Sequence, residues 1–112
     1  MKSKRSEAEF ESTFTAYSEI AKALAHPARV AILKLLQENN YQSCQNIVDQ
    51  LPYTQSTVSQ HLYKLVSAGL LESKGVKTST IYSINSAALH KFNSMFFEVF
   101  VQKKDDRQLS LF

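Results

Sequence analysis

Hydrophobic residues recur three and four positions apart along most of the chain. This spacing predicts five α-helices, over about residues 7–25, 28–37, 43–50, 54–69 and 86–104. Strict alternation then predicts a strand over residues 80–84, which pairs with residues 70–74 across a turn at 75–79. The pattern therefore predicts a mainly α protein with one small β-hairpin (α+β), in the order four helices, hairpin, helix.

The fourth helix is flanked by residues that are typical of a helix start and a helix end. Thr54 is a good N-cap, and Gly69 suits the left-handed residue that follows a helix. One face of this helix is apolar. The opposite face carries polar side chains with a single formal charge: Gln55, Ser56, Thr57, Ser59, Gln60, His61 and Lys64. Such groups hydrogen-bond base edges and phosphates, so we interpret this face as DNA-reading. The alternative is a surface helix that is poor in charge.

The preceding short helix and the following hairpin extend this interpretation. A helix capped by Ser43 and joined to the fourth helix through Pro52 and Tyr53 matches a helix-turn-helix. The hairpin carries a basic, hydroxyl-rich tip, as a DNA-contacting wing would: Lys74, Lys77, Thr78 and Ser79. Alternatively, its lysines only keep a sheet edge soluble.

The first and last helices carry more aromatic surface than a small domain can bury. A large exposed apolar patch marks an interface, so we predict a homodimer seam between these helices. The residues predicted to form it are Phe10, Phe14, Tyr17, Phe92, Phe96, Phe97 and Phe100.

Length and composition indicate the domain organisation and the kind of partner that the chain can bind. The 112 residues suit one domain, residues 7–104, with a basic arm at 1–6 and a tail at 105–112. A formal charge of +3 is compatible with binding to nucleic acid.

We expect a cytoplasmic protein, because neither a signal peptide nor a membrane span is apparent. The chain shows no nucleophile–base pair, no paired carboxylates and no phosphate loop, so we expect no enzyme and no cofactor.

Four sequence blocks resemble the ArsR/SmtB-type winged helix-turn-helix repressors of bacteria. They read LAHPARVAILKLL at residues 24–36, TQSTVSQHLYKL at 54–65, AGLL at 68–71 and YSI at 82–84. The resemblance covers nearly all of residues 16–100. It implies a homodimer made by the first and last helices, repression at an imperfect palindrome in double-stranded DNA, and release by an inducer.

The metal sites of this family are not matched. Where one family site has two cysteines, this chain has Ser43 and Gln45, with its only cysteine, Cys44, between them. The positions of a second site, in the last helix, read Ser86, Ala88, Val99 and Gln102. These side chains are poor metal ligands or none, so we predict no metal and leave the inducer unidentified.

The tail suggests a second interpretation. Residues 108–112 resemble the C-terminal peptides that bind bacterial sliding clamps: Gln108, Leu109, Ser110, Leu111 and Phe112. Under this alternative the winged fold is a protein-interaction module and the tail is its docking peptide. Binding to random duplex at low salt would distinguish the two.

Overall fold

Residues at the helix boundaries explain where most helices of the chain begin. The structure is a computed structural model that describes the backbone of residues 4–101 and the side chains of residues 11–101. Its elements in chain order are α1 (Lys4–Ala23), α2 (Pro27–Glu38), β1 (Gln42–Ser43), α3 (Cys44–Val48), α4 (Gln55–Ser67), β2 (Leu71–Val76), β3 (Ser79–Ile84) and α5 (Ser86–Phe100). Pro27 opens α2, where its missing N–H costs nothing, and Ser43, Thr54 and Asn85 cap α3, α4 and α5.

The helix boundaries differ from the predicted ones by a few residues. Helix α1 begins at Lys4 instead of residue 7, so part of the predicted arm is helical. Helix α5 ends at Phe100 instead of about residue 104, because Val101 already has an extended backbone. The predicted tail, residues 105–112, lies outside the described residues.

The predicted two-stranded hairpin is part of a three-stranded antiparallel sheet in the order β1-β3-β2. Strand β1 was missed: Gln42 pairs with Tyr82, and Ser43 pairs with Ile81. The Gln42 side chain is buried, donates to the Asn39 carbonyl at 2.6 Å and accepts from Gln50 at 2.7 Å. These bonds satisfy the buried amide and hold a strand of only two residues in place.

The hairpin turn is shorter than predicted. Val76 pairs with Ser79, which leaves Lys77 and Thr78 as a two-residue loop, and Gly75 lies within β2. Lys77 takes a left-handed backbone with φ of 57°. A positive φ at the first of two loop residues matches the twist of the paired strands, although glycine is the usual residue there.

One hydrophobic core joins the helix-turn-helix to the sheet. Its fully buried side chains are Ile32, Leu36, Ile47, Val58, Leu62, Leu65, Leu70 and Leu71. Val30 of α2 is not part of this core and is 52% exposed. Within residues 4–101, no helix combines the length and apolar content that crossing a bilayer requires.

Candidate nucleic-acid interface

The N-terminus of α4 is closed by a small hydroxyl network. Thr54 Oγ1 accepts from the backbone N–H of Thr57 at 3.3 Å and lies 3.0 Å from Thr57 Oγ1. Ser56 Oγ lies 3.5 Å from the same Thr54 oxygen. The predicted N-cap is therefore confirmed. Because the Thr57 hydroxyl is engaged in the cap, it is less available to a ligand than its neighbours.

The C-terminus of α4 ends in a Schellman motif. The Leu70 N–H bonds the Leu65 carbonyl at 3.0 Å, and the Gly69 N–H bonds the Val66 carbonyl at 2.9 Å. Gly69 adopts φ of 81°, the left-handed conformation predicted for it. The chain reverses sharply at this residue and sends Leu70 into the core, so α4 and the hairpin are held against one another.

The polar face of α4 is presented to solvent as predicted from the sequence. The exposed residues of the predicted set are Gln55, Ser56, Ser59, Gln60 and Lys64, with Thr57 and His61 partly covered. Val58, Leu62 and Leu65 are fully buried on the opposite face. Helix α4 is thus anchored by its apolar side and offers amides and hydroxyls outward.

His61 makes contacts that sequence spacing does not reveal. Its Nδ1 accepts from the Nε–H of Arg29 in α2 at 3.1 Å, and its ring centroid lies 5.5 Å from that of His26. Partial burial, the Arg29 charge and His26, in decreasing order, hold the pKa of His61 below its usual range. His61 is therefore a neutral imidazole near pH 7.

Three residues of this surface were missed. A groove of about 670 Å³ is lined by four residues of the predicted set, Ser59, Gln60, His61 and Lys64, and also by His26, Arg29 and Tyr63. Tyr63 is 69% exposed. It lies four positions after Ser59 and three after Gln60, so helical periodicity could have placed it on the same face.

The hairpin tip is exposed to solvent. Lys74, Lys77, Thr78 and Ser79 all present their side chains to solvent, with Lys77 and Thr78 at the outermost turn. Two ammonium groups on a protruding ribbon suit contact with phosphates.

Asn85 joins the end of α4 to the start of α5. Its Oδ1 accepts from the Ala88 N–H at 3.2 Å and caps α5, while its Nδ2 donates to the Gly69 carbonyl at 2.9 Å. Its backbone N–H also bonds the Leu70 carbonyl at 3.0 Å. One side chain thus connects the polar-faced helix to the aromatic helix.

Helices α1 and α5 leave a broad aromatic surface uncovered, which we call the aromatic face. Tyr17 stacks on Phe92 with centroids 4.9 Å apart and meets Phe100 edge-on at 5.4 Å. Over its length Ser86–Phe100, α5 buries no residue fully. The exposed members are Phe14, Phe96, Phe97 (54%) and Phe100 (61%). The predicted seam residue Phe10 lies outside the described side chains.

Cys44 is half-buried at the start of α3 and packs against the core. Burial raises the pKa of its thiol, so the reactive thiolate is disfavoured at neutral pH. Within the described residues, no three His, Cys, Asp or Glu side chains gather as a metal site would require.

Comparison with known proteins gives consistent results. The sequence model described as "Bacterial regulatory protein, arsR family" matches residues 26–73, which span α2 to the start of β2. An uncharacterized HTH-type transcriptional regulator from Methanocaldococcus jannaschii is 40% identical over 67 residues, covering 60% of this chain and 75% of the relative.

Solved structures share the fold over nearly the full chain. An ArsR-like transcriptional regulator from Rhodococcus sp. RHA1 superposes with a TM-score of 0.73 at 26% identity, covering 89% of this chain and 92% of that one. A protein from Mycobacterium bovis, solved as a homodimeric winged helix-turn-helix DNA-binding domain, has a TM-score of 0.64 at 24% identity, covering 94% and 95%.

Proposed function

Since this chain belongs to the ArsR family of transcriptional regulators, we propose that it is a homodimeric repressor that binds a palindromic operator. It is a transcriptional regulator with a winged helix-turn-helix DNA-binding domain, and it is not an enzyme. Helix α4 is then the recognition helix, and the β2–β3 hairpin is the wing. A regulator of this kind works where the DNA is, in the cytoplasm.

The observation that carries this proposal is the outward face of the recognition helix. Gln55, Ser59 and Gln60 are exposed on a helix that its own cap, Schellman turn and buried leucines hold rigidly. Amide side chains on a rigid helix can read base edges in a major groove. We assign the exposed Lys64, Lys74 and Lys77 to phosphate contacts on either side of the base contacts.

The homodimer follows from the aromatic face. Phe96, Phe97 and Phe100 are apolar and exposed on α5, next to α1. The related fold from Mycobacterium bovis is a homodimer, which supports the same arrangement here. A two-fold axis through this seam requires a palindrome with half-sites about one helical turn, ~10 bp, apart. Repression results when the bound dimer blocks polymerase.

The inducer is left open, and we propose that it is not a metal held at the family's usual positions. The residues at those positions offer no strong ligand: Ser43, Gln45, Ser86, Ala88, Val99 and Gln102. The predicted sliding-clamp peptide, residues 108–112, lies outside the described residues and stays a prediction.

The test is selection of bound duplexes from a random pool, followed by titration of the selected duplex. We expect a palindrome and a dimer on it. Gln60→Ala should lose roughly 1–3 kcal/mol of discrimination at one base step. The exposed Gln37→Ala in α2 should lose none. Binding that is equal for all duplexes would contradict the proposal, and no binding even at low salt would favour the protein-interaction module.

A further inference from the structure

Arg29 lies in α2, outside the proposed recognition helix α4, yet it hydrogen-bonds a side chain of α4. Its Nε donates to Nδ1 of His61 at 3.1 Å, and its Nη1 donates to the carbonyl of Ala23 in α1 at 3.3 Å. A guanidinium is planar and always protonated, so it can only donate. Two contacts on different helices fix its plane between α1 and α4.

This contact decides which ring nitrogen of His61 carries the proton. A neutral imidazole has one N–H donor and one acceptor. Nδ1 accepts from Arg29, so the proton of neutral His61 lies on Nε2. His61 also lines the groove that Ser59 and Gln60 line, on the face that carries the proposed base contacts.

We infer that Arg29 is a positioning residue for base readout: it fixes His61 as an Nε2–H donor, and His61 thereby selects guanine. The major-groove edge of guanine offers two adjacent acceptors, O6 and N7, whereas adenine offers one acceptor beside a donor. The inference rests on the proposed function, because it requires α4 to lie in a major groove.

The groups around His61 make its contact with Arg29 sensitive to acid. His26 faces it from the junction before α2, Arg29 from α2, and Tyr63 and Lys64 from its own helix, in the same groove. Glu19 and Lys22 of α1 line a second groove, which Arg29 and His26 also line, and their charged groups pair at 3.5 Å. Protonation of Nδ1 would remove the acceptor and set two cations in contact. Nε2 keeps its proton, but the ring loses the bond that fixes its orientation. Selectivity for guanine should therefore fall as His61 becomes protonated.

The first measurement needs no DNA. Long-range ¹H–¹⁵N correlation spectra of the wild-type chain at pH 7.5 should show His61 as the Nε2–H tautomer. Arg29→Lys retains the charge but loses the planar Nε–H, and it should give a mixture of tautomers. Lys34→Gln, which removes a positive charge from the outer face of α2, should leave the His61 signals unchanged. An Nδ1–H tautomer in the wild-type chain would overturn the inference.

The second measurement uses the duplex selected from the random pool, with each G·C pair of a half-site changed in turn to A·T. For the wild-type protein, one substitution should weaken binding about tenfold through His61. That penalty should fall below about twofold for Arg29→Lys, with an unchanged salt slope. For the wild-type protein it should decrease as the pH falls through the folded-state pKa of His61, which lies below its usual range.

Two variants of His61 itself complete the test. His61→Gln places an amide donor near the former Nε2 position and should keep the preference, whereas His61→Asn reaches only the Nδ1 position and should lose it. If the wild-type protein selects a palindrome and Arg29→Lys and His61→Asn keep full discrimination, this inference alone fails. If the wild-type protein selects no duplex at all, the proposed function fails with it.

Discussion

Asn85 donates its side-chain N–H to the carbonyl oxygen of Gly69 at 2.9 Å, and so connects the beginning of α5 to the end of α4. The same side chain caps α5 through Ala88, and its backbone bonds Leu70. The helix proposed to form the dimer and the helix proposed to read DNA are therefore fixed to each other within one subunit.

Asn85→Ala removes both side-chain bonds and should lower the free energy of unfolding by about 1–3 kcal/mol. Asn85→Ser keeps a capping oxygen but is too short to reach Gly69, so its loss should be smaller. Urea unfolding measures both. The exposed Asn93→Ala on the same helix is the control and should change stability by less than about 0.5 kcal/mol. Equal losses for Ala and Ser would mean that the cap contributes nothing.

The two glycines should respond oppositely to alanine. At both positions an added Cβ would meet no described atom within 4 Å, so space is not the issue. Gly69 has φ of 81°, and alanine there should destabilise the fold by about 1–2 kcal/mol. Gly75 lies in β2 without a positive φ, and alanine should be neutral or stabilise by up to about 1 kcal/mol. Thermal or urea unfolding of the pair gives the comparison, which similar losses at both sites would contradict.

Lys77 combines a charge with an uncommon backbone conformation, and two variants separate these roles. Lys77→Ala should weaken binding to duplex and reduce the slope of log K against log salt by about 0.9 for one lost phosphate contact. Lys77→Gly should show the same change in slope while stabilising the free protein, because glycine adopts φ of 57° without strain. If the slope of log K against log salt is unchanged in both variants, Lys77 does not contact a phosphate.

Replacing aromatic residues of the aromatic face should produce monomers. The double variant Phe97→Ser and Phe100→Ser removes two rings that are more than half exposed in one subunit. We expect its mass by light scattering to fall to that of one chain, with helical content largely retained. Tyr63→Ser removes an equally exposed ring from α4 and should stay dimeric. If the wild-type chain is already monomeric at micromolar concentration, the aromatic face does not form the proposed dimer interface.

The lowered pKa of His61 predicts a loss of stability in acid. Its pKa is lower in the folded than in the unfolded chain, so the unfolded chain binds more protons and acid favours it. This contribution is complete above about pH 6.5 and is lost as pH falls through the folded-state pKa. His61→Gln has no such titration, and its free energy of unfolding should depend less on pH between 7.5 and 5.5. Parallel pH profiles for both proteins would contradict this.

Local signals in the sequence were enough to predict helix α4 and the residues that cap its two ends. Thr54 and Gly69 act through backbone groups three to five residues away, so their roles follow from type and position alone. The apolar spacing also indicated the buried face correctly, because helix geometry fixes which residues share a face.

Contacts between distant residues could not be predicted in this way. Strand β1 is only two residues long. It forms because Gln42 pairs with Tyr82 of β3 and its side chain accepts a hydrogen bond from Gln50. Arg29 and His61 are 32 positions apart, and nothing local to either one indicates the bond. The hairpin turn was predicted over residues 75–79, whereas the loop is Lys77 and Thr78 alone and Lys77 adopts the left-handed conformation.

The tight reversal at Gly69 has a consequence for operators with altered spacing. Each added base pair moves a half-site by about 3.4 Å and rotates it by roughly a tenth of a turn. Hydrogen bonds at Gly69, Leu70 and Asn85 join α4, the β2–β3 hairpin and α5, so we expect these elements to move as one unit within a subunit. In the proposed dimer, the misfit would then be absorbed where the two copies meet or by twisting of the duplex itself.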